Sequence, residues 1–131
     1  LWQGRFGSVV MDEGHLAGAV RYVSLNPVRA RLVTRAADWQ WSSVGAHLSG
    51  KNDGVVSVKP LLKRFPDFAA LLESGEDAEM SKSLRAAETI GRPLGEAKWL
   101  KRIEEKLGRR VRAKKRGRKV GTKAPLARGK K

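Results

Sequence analysis

The chain has 131 residues, 40% of them hydrophobic and 31% charged, enough for one modest domain with a small core. It has no cysteine, which excludes a disulfide framework and thiolate metal sites, and no run near the roughly 18 apolar residues of a membrane span. The net charge of +15 is uneven: residues 109–131 carry 12 Lys and Arg and no acid, against 16 basic and 13 acidic residues in 1–108. Such a tail attracts a polyanion, and nucleic acid is the expected partner. A membrane is not, because the tail has no Trp or Phe to insert. No basic flank leads into an apolar stretch at the start, so a cytoplasmic, nucleoid-associated location is expected.

Arg5–Met11 reads as a short strand, with Val9 and Val10 in its middle. A lone strand leaves its backbone edges unpaired, and residue 1 is Leu rather than Met. Both lead to the expectation of an upstream half that supplies a partner. Asp12 and Glu13 then open a helix, as acids at a positive helix end do. Leu16, Val20 and Val23 recur at helical spacing and form its expected buried stripe. Pro27 cannot lie in the helix interior; it ends the helix near Leu25 or Asn26 and starts a second short one, to Leu32.

Ser42 and Ser43 mark a further short helix running to about Leu48, followed by a turn at Gly50–Gly54. Between Val58 and Leu72, Pro60 and Pro66 divide an apolar stretch into two short helices. Asp77–Glu88 is expected as a helix with Met80, Leu84 and Ala87 on one side. Gly91–Gly95 is a turn, and Glu96–Leu107 a helix with Trp99, Leu100, Ile103 and Leu107 as its apolar face. No core pattern follows Gly108, and residues 109–131 are expected to stay disordered until bound. The fold class is therefore mostly α with one N-terminal strand. The expected organisation is 1–50 around the first helix, a linker with short helices over 51–76, a helical hairpin over 77–108, and the basic tail.

The chain's single tyrosine, Tyr22, lies in Arg21-Tyr22-Val23-Ser24-Leu25-Asn26-Pro27-Val28-Arg29-Ala30. On a helical wheel His15, Tyr22 and Asn26 fall within about 40° of one another. A tyrosine oxygen can attack phosphorus and store a phosphodiester as a phosphotyrosine. With a pKa of about 10 it needs help to ionise, and an Asn amide oxygen is a suitable ligand for a hard cation. The same residues read more simply as a packing tyrosine with a wet hydroxyl, an Asn26 N-cap and a surface His15.

Five segments carry a resemblance. Leu1–Phe6 (LWQGRF), Arg21–Val33 (RYVSLNPVRARLV), Asp38–Ser43 (DWQWSS), Thr89–Gly95 (TIGRPLG) and Leu107–Arg112 (LGRRVR) resemble, in order, segments of REP-associated tyrosine transposases. These belong to the HUH (His-hydrophobic-His) class of single-tyrosine nucleases. The resemblance implies a parent with an α+β, ferredoxin-like core and two strand histidines that bind Mg²⁺ or Mn²⁺. It implies a tyrosine that cleaves single-stranded DNA near hairpin-forming repeats, leaving a 5′-phosphotyrosine and a 3′-OH. By position Tyr22 is that nucleophile, and Asn26 is the residue that assists the metal. The chain departs from the pattern in having only His15 and His47 and no His-x-His. The metal-binding histidines are expected upstream, and this chain alone is expected to be inactive and to hold no metal tightly.

Other residues suit DNA contact without chemistry. Residues 77–107 are compatible with a helix-turn-helix whose second helix presents Lys98, Lys101, Arg102 and Lys106, or with a plain helical hairpin. Arg109, Arg110, Arg112, Lys114, Lys115, Arg116, Arg118 and Lys119 suit phosphates, which give affinity and salt sensitivity but little sequence information. Arg29, Arg31 and Arg35 can steer a strand across Tyr22. Trp39 and Trp41 can stack on bases, although packing is their simpler role. A non-catalytic DNA-binding remnant is the main alternative to a transposase part; a basic RNA-binding protein accounts for the tail but not for the Tyr22 segment.

Overall fold

The computed structural model describes residues 8–75, 77–88 and 91–112. They form seven α-helices: α1 (Glu13–Ser24), α2 (Asn26–Arg29), α3 (Val44–Ser49), α4 (Lys59–Leu62), α5 (Phe68–Glu73), α6 (Ala78–Glu88) and α7 (Ala97–Leu107). A single 3-10 turn, Ala36–Asp38, precedes α3. Among the described residues no helix is long and apolar enough to cross a membrane.

The mostly helical expectation holds, but the expected strand does not form among the described residues. Residues 5–7 lie outside them. Met11 makes an isolated parallel bridge, and its partner is Leu94, which lies downstream rather than upstream. Leu94 N–H donates to the Val10 carbonyl at 2.9 Å, and Asp12 N–H donates to the Leu94 carbonyl at 3.1 Å. The chain then turns into α1, so the pairing goes no further.

α1 starts where its cap dictates. One Asp12 carboxylate oxygen accepts the His15 N–H at 2.9 Å and lies 2.7 Å from His15 Nδ1. The other accepts the Glu96 N–H at 2.7 Å. One side chain thus caps α1 and holds the start of α7. Burial raises the Asp12 pKa, but the hydrogen bonds from His15 and Glu96 outweigh it and the net shift is downward. Gly95 permits this junction: a Cβ there would stand 2.3 Å from the Trp99 ring and 3.0 Å from Asp12 Oδ2.

α1 ends at Leu25, whose N–H bonds back to Arg21 and Val23. Leu25, not Asn26, occupies the cap position of α2, and no side chain caps that helix. Pro27 sits early in α2, where its missing N–H costs nothing. α2 closes at Arg29, short of the expected Leu32. Arg31 there adopts a left-handed φ of 58°, which breaks the helical run.

The core is thin. Ala36, Val44 and Phe68 are buried together, with Val20, Leu25, Val28, Leu61, Leu62, Leu71 and Leu72 packed around them. His47 is buried as well, its Nδ1 2.7 Å from the Ser43 carbonyl and its ring against Phe68. α1 lies across this layer, packed on α2 and α5 on one side and on α6 on another. Arg64 pairs with Glu13, and Arg21 donates to the Ser74 hydroxyl, tying both ends of α1 to the segment around α5.

The α1–α6 contact is made at a glycine. Gly18 is buried, and a Cβ on it would stand 2.5 Å from Met80 Cγ and 3.0 Å from Met80 Sδ. Leu84 and Ala87 are buried along the same side of α6. The expected stripe on α1 therefore needs correction. Leu16 and Val20 are half-buried, but Val23 is 69% exposed, because the neighbouring helices cover Gly18 and Ser24 instead. Trp39 is half-buried, whereas Trp41 is 77% exposed and takes no part in packing.

Candidate functional site

Tyr22 projects from the last two turns of α1 into the angle between α2 and α6. Arg29 stands seven residues on, two turns or about 10 Å of rise in an unbroken helix. The break at Leu25 and the reach of the arginine side chain close that gap. The Arg29 guanidinium carbon lies 4.0 Å from the centre of the Tyr22 ring. A second guanidinium, that of Arg85 on α6, approaches the same ring at 5.8 Å.

These cations change the phenol. The hydrogen bond from Arg29 is the main cause of a lowered Tyr22 pKa, followed by that from Arg85. A cation that donates to the phenolate favours the charged form. The arrangement does two things a phosphate-attacking tyrosine requires: it eases ionisation, and it places positive charge where a phosphate would sit.

Two cavities are lined by the ring or by the guanidiniums that contact it. One, of about 500 Å³, is lined among the described residues by Arg29, Ala78, Ser81, Lys82 and Arg85, three of them cations. The other, of about 160 Å³, is lined by Tyr22 with Val9, Met11, Ala19, Val23, Leu84 and Ala87. Tyr22 lines the apolar pocket, the two guanidiniums on its ring line the cationic cleft, and α6 contributes to both.

Of the residues expected from the sequence, the structure brings Tyr22 and Arg29 together. Arg31 is exposed and absent from the cleft wall; Arg35 lines a different cavity with Leu25 and Val28. Asn26 is exposed and makes no side-chain hydrogen bond among the described residues. It heads a separate helix, so the helical wheel that grouped it with His15 and Tyr22 ran across a break. His15 is held by Asp12. No group of three or more His, Cys, Asp or Glu among the described residues is arranged to hold a metal ion, so Asn26 has no companion ligands there.

Ser81, Lys82 and Arg85 are the residues that sequence reasoning missed. Their spacing with Ala78 was a usable signal: positions i, i+3, i+4 and i+7 of a helix share one face.

The second basic surface is α7. Lys98, Lys101, Arg102 and Lys106 are all exposed, with Lys101 3.9 Å from Glu105. α7 makes no extensive packing contact with another helix, and α6 packs chiefly on α1. Arg109 and Arg110 are exposed beyond α7. Gly108, with a left-handed φ of 62°, turns the chain back so that Arg112 meets Glu104. Glu104 accepts the Val111 and Arg112 N–H groups at 2.9 and 3.0 Å and the Arg112 Nε–H at 2.9 Å. The Arg112 side chain foremost holds the Glu104 carboxyl down at about 2. Arg112 is therefore engaged within the chain. Lys114, Lys115, Arg116, Arg118 and Lys119 lie outside the described residues, as does the Leu1–Phe6 segment.

No family model, no curated protein and no solved structure matches this chain.

Proposed function

We propose that this chain is the tyrosine-bearing part of a REP-associated tyrosine transposase and that Tyr22 attacks single-stranded DNA at hairpin-forming repeats. The observation that carries this reading is the pair of guanidiniums, Arg29 and Arg85, on the ring of the chain's one tyrosine. The sequence resemblance is what assigns the reaction. In it the phenolate oxygen bonds to phosphorus and the bond from phosphorus to the 3′ oxygen breaks. The released oxygen takes up a proton as a 3′-OH, and the 5′-phosphate stays on Tyr22. A later attack by a 3′-OH reverses these bonds and rejoins a strand. Arg29 and Arg85 offset the charge that develops on the phosphate oxygens.

The family's Mg²⁺ or Mn²⁺ does not fit the described residues, since Asn26 alone cannot hold it. The ion belongs, in this reading, to a His-hydrophobic-His strand of the parent's ferredoxin-like core. Val23, largely exposed beside Tyr22, and Val10, exposed on the segment before α1, supply apolar surface suited to such a neighbour. The test supplies that strand and Mn²⁺ together with this chain and a single-stranded hairpin DNA. A denaturation-resistant protein–DNA adduct is expected, and Tyr22→Phe should abolish it. An undiminished adduct in Tyr22→Phe would remove Tyr22 from the role.

A second reading, DNA binding without chemistry, is favoured by the exposed basic face of α7. It requires binding that is indifferent to Tyr22 and that weakens, with a flatter salt dependence, when residues 109–131 are deleted.

A further inference from the structure

We infer that the cavity between α1 and the start of α3 is a base-reading pocket, in which Ser24 and His47 hydrogen-bond one unpaired nucleobase of the strand that Tyr22 attacks. The pocket presupposes the reading above and adds to it the residues that select the DNA sequence.

The cavity has a volume of about 280 Å³, just below the roughly 300–1,000 Å³ of small-molecule sites, and so suits a single planar ring system. Among the described residues Ala19, Val20, Val23 and Leu61 make its apolar wall, and Ser24, Ser43 and His47 its polar part. Ser24 and His47 are each only 8% exposed and lie deep, whereas Val23 and Ser43 are exposed and mark the mouth. An unpaired base has two apolar faces and an edge of donors and acceptors, so apolar walls with a few placed polar groups match it. In a duplex that edge is already paired, and only a single strand offers it.

The deep polar groups have capacity to spare. His47 Nδ1 lies 2.7 Å from the Ser43 carbonyl, which only accepts, so Nδ1 carries a proton. Nε2 of the neutral ring is then an acceptor, and Phe68 lies against the ring and limits its rotation. Neither Nε2 nor the Ser24 hydroxyl bonds to another described residue, and neither is sealed from solvent. A base edge serves both: it has an N–H for Nε2, and a carbonyl oxygen or ring nitrogen for the Ser24 hydroxyl.

Two residues fix the pocket's place relative to Tyr22. Ala19 and Val23 line this cavity and also the apolar pocket that Tyr22 lines. Tyr22, Ala19, Val23, Val20 and Ser24 follow one another round α1 at about 0, 60, 100, 160 and 200°. A strand that crosses this arc presents the base of a nucleotide close to the attacked phosphate.

The experiment uses the full chain and short single strands of thymine, cytosine, adenine, or alternating thymine and guanine. A strand of abasic units with the same number of phosphates is the reference. The readout is NMR of the imidazole signals of the chain's two histidines. At least one base-bearing strand should shift the His47 signals and leave those of His15 in place, and the abasic strand should shift neither. Ser24→Ala should weaken binding of that strand about five- to tenfold, the loss of one hydrogen bond, and leave binding of the abasic strand unchanged. Ser43→Val is the second variant. Ser43 makes no side-chain cap bond, so α3 does not depend on its hydroxyl, and the added bulk at the mouth should abolish the base-dependent His47 shift. A His47 shift that the abasic strand reproduces, or that survives both variants, would overturn the pocket. The covalent-adduct test is separate. A Tyr22-dependent adduct in a chain whose His47 answers to no base sinks the pocket alone. A base-dependent His47 shift in a chain whose Tyr22 forms no adduct sinks the transposase reading alone.

Discussion

The guanidinium of Arg29 lies over the ring of Tyr22, 4.0 Å from its centre, and is the main reason that the phenol ionises more readily than a free tyrosine. Because Tyr22 is the chain's only tyrosine, this is directly measurable. An absorbance titration of tyrosinate should have its midpoint below the ordinary value of about 10 and return to it on denaturation. Arg29→Ala should raise the midpoint more than Arg85→Ala does. A depressed acid contributes stability above its unfolded pKa and loses it as pH falls through the folded one. The coupling is therefore fully expressed above the ordinary tyrosine value and fades as pH falls through the lowered midpoint. A midpoint unaltered in Arg29→Ala would refute the arrangement.

Gly18 is expected to be the least replaceable residue of α1. Gly18→Leu drives a side chain into Met80, an overpacking that costs about 1–3 kcal/mol. It should also move α6 away and raise the Tyr22 phenol midpoint, since Arg85 leaves with it. Gly45 on α3 is the control, because a Cβ there meets nothing within 4 Å. Gly45→Ala should be neutral or stabilise by about 0.5–1 kcal/mol. Urea unfolding of the two variants compares them, and equal stabilities would show that α6 is not seated at Gly18.

Asp12→Ala removes a cap, at a cost of about 0.5–2 kcal/mol. It should do more than fray α1, because the same carboxylate holds the Glu96 N–H. Hydrogen exchange at Glu96 should quicken along with that at His15. Quickening at His15 alone would mean that Asp12 does not join the two helices.

Glu104 should act as an acid-sensitive latch. Its pKa lies at about 2 in the folded chain and its ordinary value is 4.5. The latch is complete above the ordinary value and is lost as pH falls through about 2. NMR signals of Val111 and Arg112 should be native-like at pH 5 and change only well below pH 4.5. Glu104→Gln should show the released state at every pH. A transition centred near 4.5 would contradict the contact.

Much of the local structure was legible. Asp12 and Pro27 bracket the first helix because a cap and a ring-locked φ act within a few residues. Pro60, Pro66 and Gly108 punctuate the chain for the same reason. Periodicity served less well where it had to name a partner. Val23 shares the spacing of Leu16 and Val20, but spacing does not say which arc of a helix its neighbours cover, and here they meet Gly18. A buried glycine inside a helix, unfavourable by propensity, was the better pointer to a close approach. For the site, Arg29 was within reach of local reasoning, whereas helical spacing puts Lys82 and Arg85 on one face of α6 but does not say that this face meets Tyr22. Trp41 was wrongly expected to pack; a core built on Val44 and Phe68 has no place for it.

Arg85 reaches Tyr22 from a helix that begins far downstream in the chain. Shuffling of gene segments therefore cannot move the tyrosine helix by itself. A recombinant that kept residues up to the end of α5 and exchanged the rest would retain the tyrosine with Arg29 alone, and would lose the apolar wall that Leu84 and Ala87 provide. The two stretches have to be inherited as a unit, and substitutions on α6 should be tolerated only in company with changes on α1.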